Sequence, residues 1–203
     1  MQTLEQPMNR VVDISVTSER HGYGRTLAAL AIARAVNEVV RTALVVPRNE
    51  DFDDLITYSG HVPVVDDADH ERLVIEGMDV VRRRDTVVNQ ALVTDGYVES
   101  ANISVAVIDN SYRALKTQMQ SGTSPHWIVC VSDDQHVLTR EDVRRVFSDV
   151  VDDDGNSRVL FTPRDSTLSR AIDAGLLGMR LSQLQLVRSM QPIADHIASY
   201  VSI

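Results

Sequence analysis

The stretch Val11–Val36, VVDISVTSERHGYGRTLAALAIARAV, sets a β-branched apolar run, a glycine-bearing turn and an Ala/Leu-rich run in direct succession. Val11–Thr17 is apolar nearly throughout instead of alternating, which is the pattern of a strand buried on both faces of a parallel sheet. Thr26–Val40 is predicted to be helical. Its residues Leu27 to Ala33, with Ala35 and Val36, leave almost no polar face, so this helix packs closely against a sheet. The turn between them, SERHGYGRT (Ser18–Thr26), then falls at the C-terminal edge of the first strand, where open α/β sheets bind ligands. A glycine turn entering a helix gathers unpaired N–H groups and the positive end of the helix dipole on one spot, which suits a phosphate. Gly22, Gly24 and Thr26 stand in register for such a loop. A full phosphate loop of the Walker type adds a lysine for the terminal phosphates and a Ser/Thr hydroxyl for Mg²⁺. Here Arg25 stands in the lysine's place, and Glu19 and His21 occupy positions where glycine is preferred.

Composition bounds the possibilities. A chain of 203 residues is long enough for one full-sized domain, expected over 1–203 with residues 1–9 as a flexible tail. The net charge of −9 excludes a protein coated in positive potential, though not a local basic face. The longest apolar runs, such as Leu27–Ala33, are too short to span a bilayer, and MQTLEQPMNR lacks a signal-peptide core, so a cytoplasmic location is expected. The single cysteine, Cys130, lies in the apolar run WIVCVS and reads as a buried inert thiol. The six histidines show no metal-ligand spacing, and His126 beside Trp127 reads as structural. Lys116 is the only lysine against nineteen arginines, so an arginine at a lysine position is readable as compositional drift.

Further strands are predicted at Thr42–Pro47, Met78–Arg82, Ile103–Asp109, Trp127–Ser132 and Arg158–Thr162. Helices are predicted at Asp67–Glu76, Thr86–Ser100, Tyr112–Gln120, Thr139–Val150, Ser166–Ala174 and Arg180–Val201. This alternation implies right-handed crossovers and a doubly wound α/β fold with a mainly parallel sheet flanked by helices. GTSP (Gly122–Pro125) and DDDGN (Asp152–Asn156) are turns by their chemistry, and Arg82–Arg84 reads as a solvated charge run.

The order of strand, SERHGYGRT, apolar helix, TALVVP, SVAVIDN and the late LFTPRDSTLSRAIDAGL resembles the ParA/MinD family of deviant-Walker ATPases. Where that family's loop reads K-G-G-x-G-K-T, this chain has Arg20, His21, Gly22, Tyr23, Gly24, Arg25 and Thr26. The resemblance makes VAVIDN the Walker B strand, with Asp109 as its acid. It also aligns Pro163, Asp165, Ala171 and Gly175 with the family's late P-x-D-x-x-x-x-x-A-x-x-x-G stretch. It implies a P-loop NTPase-like fold, somewhat shortened by a strand missing between Trp127 and Arg158. The implied nucleotide-binding residues are Arg20, Gly22, Tyr23, Gly24, Arg25, Thr26 and Pro163, with ATP as cofactor and Thr26 and Asp109 holding Mg²⁺. The implied contacts with non-specific DNA are Arg164, Arg170, Arg180 and Arg188.

The departures bear on catalysis. Arg20 replaces the lysine that in the family reaches the partner's nucleotide, and Arg25 replaces the Walker lysine with a bulkier planar group. Pro47, Arg48, Asn49 and Glu50 stand where the family carries the aspartates that position water, so hydrolysis is expected to be weak or absent. The resemblance thus implies a partition or positioning protein that segregates DNA or places a cargo. It would work as a homodimer influenced by nucleotide, with a ParB-like or other adaptor and no membrane contact. The alternatives are a pseudo-ATPase scaffold or regulator that keeps the fold and dimer surface, and an unrelated α/β protein whose glycine loop takes another anion.

Overall fold

A computed structural model of the chain describes residues 11–19, 24–47, 62–66, 90–132, 138–164 and 184–201. In the described part of the opening stretch VVDISVT is strand β1 (Val11–Thr17), as expected, and helix α1 (Arg25–Val36) follows, ending four residues short of the expected Val40. Then come β2 (Arg41–Val46), β3 (Val64–Asp66), β4 (Gln90–Asp95), β5 (Ile103–Asp109), α2 (Tyr112–Gln120), β6 (Trp127–Ser132), α3 (Arg140–Val146), β7 (Val159–Pro163), α4 (Gln185–Ser189) and α5 (Gln191–Val201). Among the described residues seven strands form one sheet in the order β3-β2-β4-β1-β5-β6-β7, and every neighbouring pair is parallel.

The continuous apolar strands are explained by what covers the two faces. In β5, Ile103, Val105 and Val107 join the core that includes α1, α4 and α5, while Ala106 and Ile108 join a second core with α2 and α3. In β6 the split is Trp127 and Val129 against Ile128 and Cys130. Each residue of such a strand therefore needs an apolar side chain, whichever way the pleat turns it. Helix α1 is buried from Ala28 to Ala33 and again at Ala35 and Val36, held between the sheet and the helices α4 and α5. Its small alanines let the helix axis approach both neighbours.

Two expectations are corrected. The described part of the expected helix Thr86–Ser100 is not helical: it holds strand β4, hydrogen-bonded between β2 and β1, and the turn after it. The reason is burial. Ala91, Leu92 and Val93 are all enclosed in the sheet, and a short apolar run of this kind does not declare its period. The final helix is also interrupted, with α4 and α5 meeting at Met190. Pro192 has no N–H to give and its ring crowds the carbonyl four residues back, so the helix restarts there. The expected strand Met78–Arg82, the helices Asp67–Glu76 and Ser166–Ala174, the run Arg82–Arg84 and the tail 1–9 lie outside the described residues. Strand β3 was not anticipated.

Candidate phosphate-binding site

The loop's end, Gly24, has φ +75° and serves as N-cap of α1. That left-handed conformation favours glycine, and the Gly24 carbonyl accepts the first helical bond from the Ala28 N–H at 2.8 Å. Among the described residues no side chain caps this helix, and no acid stands in its first turn. The N–H groups of that turn and the positive end of the dipole are thus left for another partner.

Arg25 and Thr26, the first two residues of α1, converge on one carboxylate. The Arg25 Nε–H donates to Asp95 Oδ1, and the Thr26 hydroxyl donates to Asp95 Oδ2 at 2.7 Å. Asp95 closes β4 beside Val16 of β1 and is only 2% exposed. A carboxylate that dry is tolerated because a cation and a hydroxyl are both aimed at it. The chain leaving it is stitched to β1 as well: Ser15 Oγ donates to the Gly96 carbonyl at 2.8 Å and accepts the Val98 N–H at 3.2 Å.

Asp109, the acid expected beside Thr26, closes β5 on the other side of β1. Its Oδ1 accepts the Ser111 N–H at 2.9 Å, and Ser111 in turn caps α2 by accepting from Ala114 N–H at 3.1 Å. The described contacts thus bring Thr26 to Asp95, and show Asp109 shaping the entry to α2. Pro163 ends β7, three strands from β1, which at the usual strand spacing is about 14 Å along the same edge. The next residue is tied down there by an Arg164 N–H to Ser132 carbonyl bond of 2.9 Å. Arg164 and Arg188 are exposed, on the segment after β7 and on α4 respectively. Arg20, Gly22, Tyr23, Arg170 and Arg180 lie outside the described residues.

The fit of the groups implied by the resemblance differs between phosphate and metal. A phosphate fits: the uncapped α1 start offers N–H donors, and only the Nε edge of Arg25 is used on Asp95 among the described residues. Mg²⁺ fits poorly, because the Arg25–Asp95 pair is electrically neutral and one carboxylate oxygen already faces a guanidinium. A dication held by oxygen ligands would meet repulsion where it needs net negative charge. Among the described residues no group of three or more His, Cys, Asp or Glu is placed to hold a metal.

Elsewhere the chemistry is structural. Burial first, and the charge of Asp109 second, push the Cys130 thiol up to about 12, so it remains protonated. The His126 Nδ1 accepts the Ser104 N–H at 3.1 Å, and Trp127 Nε1–H donates to His196 Nδ1 at 3.1 Å. A cavity of about 510 Å³ between α2 and α3, lined by Tyr112, Leu115, Met119 and Leu138, opens on the face opposite α1.

The architecture is that of the ParA/MinD ATPases. A chain of the MinC:MinD cell division protein complex of Aquifex aeolicus superposes with a TM-score of 0.59 at 10% identity, over 93% of this chain and 96% of that one. A ParA family ATPase from Chlorobium tepidum TLS gives 0.53 at 15% identity, over 93% and 98%. A Cyanothece McdA variant in complex with ATP gives 0.52 at 10% identity, over 94% and 97%. No family model matches the sequence, and no curated protein matches it either. The chain therefore has a ParA/MinD-like fold, a parallel sheet flanked by helices. Among the described residues no helix is long and apolar enough to cross a membrane.

Proposed function

We propose that the chain is a ParA-like positioning protein that binds a nucleotide at the start of α1 and uses it to govern dimerisation. The observation that carries this reading is the N-terminus of α1, uncapped among the described residues, where the partly exposed Arg25 and Thr26 meet the buried Asp95. It lies at the edge where sheets of this build take phosphates. The structural likeness to positioning ATPases, one of them holding ATP, supports the choice of nucleotide. Gly22, Gly24 and the first N–H groups of α1 would grip the phosphates, with Arg20, Tyr23 and Arg25 around them and Pro163 further along the edge. Asp109 and Thr26 remain the residues for any magnesium bound weakly. Hydrolysis is weak or absent, since a guanidinium replaces the Walker lysine. The cargo is DNA or a protein-linked body, reached through an adaptor of the ParB type, with Arg164, Arg170, Arg180 and Arg188 as the contacts to DNA.

Calorimetry with ATP, run beside light scattering for mass, tests the reading. The expected result is saturable binding and a shift from monomer to dimer with little phosphate release. An absence of both would remove it. DNA retardation across a salt series checks the arginines: genuine phosphate contacts weaken steeply as salt rises.

The Arg25–Asp95 pair favours one second reading, the pseudo-ATPase scaffold. Binding without a change of mass would select it, because a scaffold keeps a constitutive partner surface.

A further inference from the structure

We propose that Arg25 takes the place of the divalent cation, so that the site binds a nucleoside triphosphate without metal. This rests on the nucleotide reading above and goes beyond it, because it assigns the counter-charge of the phosphates to the chain itself. In a metal-dependent phosphate site the dication is the link between a protein carboxylate and the phosphate oxygens. Asp95 is the carboxylate in place for that link, at the end of β4 and 2% exposed. Its Oδ1 already accepts the Arg25 Nε–H, and its Oδ2 accepts the Thr26 hydroxyl at 2.7 Å. A guanidinium carries five N–H donors in a rigid plane, and Asp95 engages the Nε–H. Among the described residues the terminal Nη donors remain for a second anion, and the Arg25 side chain is 30% exposed, so a ligand from solvent has access to it.

One planar cation anchored on a buried carboxylate can grip a phosphate by its other edge, and so repeats the bridge that a hydrated metal ion makes. A lysine lacks this option: its ammonium is a compact point charge with no second edge. The placement also accounts for a cation at the start of α1, where the helix dipole disfavours positive charge. Asp95 offsets that cost, and a bound phosphate would offset it further.

The test is calorimetry of ATP binding to the full chain in EDTA and in excess Mg²⁺. The expected dissociation constants differ by less than about threefold between the two buffers. Arg25→Lys, checked by circular dichroism for folding, should gain a dependence on Mg²⁺ of about tenfold or more, since its ammonium frees one edge of Asp95 for a metal. Asp95→Asn, nearly isosteric, provides the same check if Arg25→Lys does not fold. Without its anchor the guanidinium is misplaced, and affinity should fall about tenfold in both buffers alike. Wild-type affinity that collapses in EDTA, or an Asp95→Asn loss confined to the Mg²⁺ buffer, would overturn the metal-free bridge and leave the nucleotide reading standing. No binding in either buffer removes both.

Discussion

Helices α1 and α3 begin in opposite ways. At α3 the Thr139 side chain accepts the Asp142 N–H at 3.2 Å, while Asp142 Oδ2 accepts the Thr139 N–H at 2.9 Å and its hydroxyl at 2.7 Å. Glu141 and Asp142 set two negative charges in the first turn, against the positive end of the dipole. Every local choice there serves helix stability. At α1 the cap is a left-handed glycine, the first turn has no acid, and the leading residue is a cation. Stability was forgone at one helix start and collected at the other. At α1 the local cost is offset from outside the helix, by Asp95 of β4.

The largest effect should come from cutting that external support. Arg25→Ala leaves Asp95 enclosed with only the Thr26 hydroxyl, and removing one partner of a buried ion pair costs about 3 kcal/mol or more. Urea denaturation should show this as a lower midpoint with an unchanged slope. A loss under about 1 kcal/mol would mean that Asp95 is solvated without Arg25, and the comparison would lose its main term. Next in size is Gly24→Ala. A Cβ at Gly24 meets nothing within 4 Å, so the only penalty is the left-handed backbone, about 1–2 kcal/mol. Thr139→Ala should cost about 1 kcal/mol through loss of the cap. With phosphate or ATP present the two should separate: the ligand's stabilising effect persists in Thr139→Ala and shrinks in Gly24→Ala. Equal responses would show that the α1 start has no special bond to anions.

How far this site could be read beforehand depended on which strands were recognisable. VVDISVT and the all-round apolar run after it declare themselves, because each has only one way to be buried, and the loop between them was visible with its Gly24, Arg25 and Thr26. The run ALVTDG was not, since three enclosed residues, Ala91 to Val93, fit a buried helix as well as a strand. With β4 taken for a helix, Asp95 had no reason to stand at the ligand edge. VAVIDN carries the same kind of apolar run ending in aspartate, and it is the run that the resemblance aligns with the Walker B strand. Both β4 and β5 flank β1, so spacing along the chain does not choose between Asp95 and Asp109. The pairing Val16↔Asp95 and the Thr26 contact set Asp95 beside the start of α1, and those are properties of the folded sheet. The sharp turn signal of Asp95-Gly96 was the one local hint that a strand ends there.

The smallest expected effect is a pH dependence that only one of the two helix starts should show through its cap. Hydrogen bonds from Thr139, side chain first and backbone second, hold the Asp142 carboxyl below its ordinary value, and the charge of Arg145 adds to them in the same direction. An acid with a depressed folded pKa binds fewer protons folded than unfolded. Its contribution is therefore complete above the unfolded value near 3.8 and is lost as pH falls through the lower folded value. Asp142 lies at the protein surface, so the effect is modest and screened by salt. Thr139→Ala removes the hydroxyl bond, the larger of the two that hold the carboxyl down, and keeps the backbone one, so the stability gap between it and the wild type should narrow on acidification below about pH 4. Gly24→Ala acts on backbone strain alone, so its gap from the wild type should stay flat over the same range. Chemical denaturation of both variants from neutral pH to pH 3 reads the two gaps side by side. If the Thr139→Ala gap is as flat as that of Gly24→Ala, the Asp142 carboxylate adds nothing to the start of α3. The two helices would then differ in geometry and not in charge.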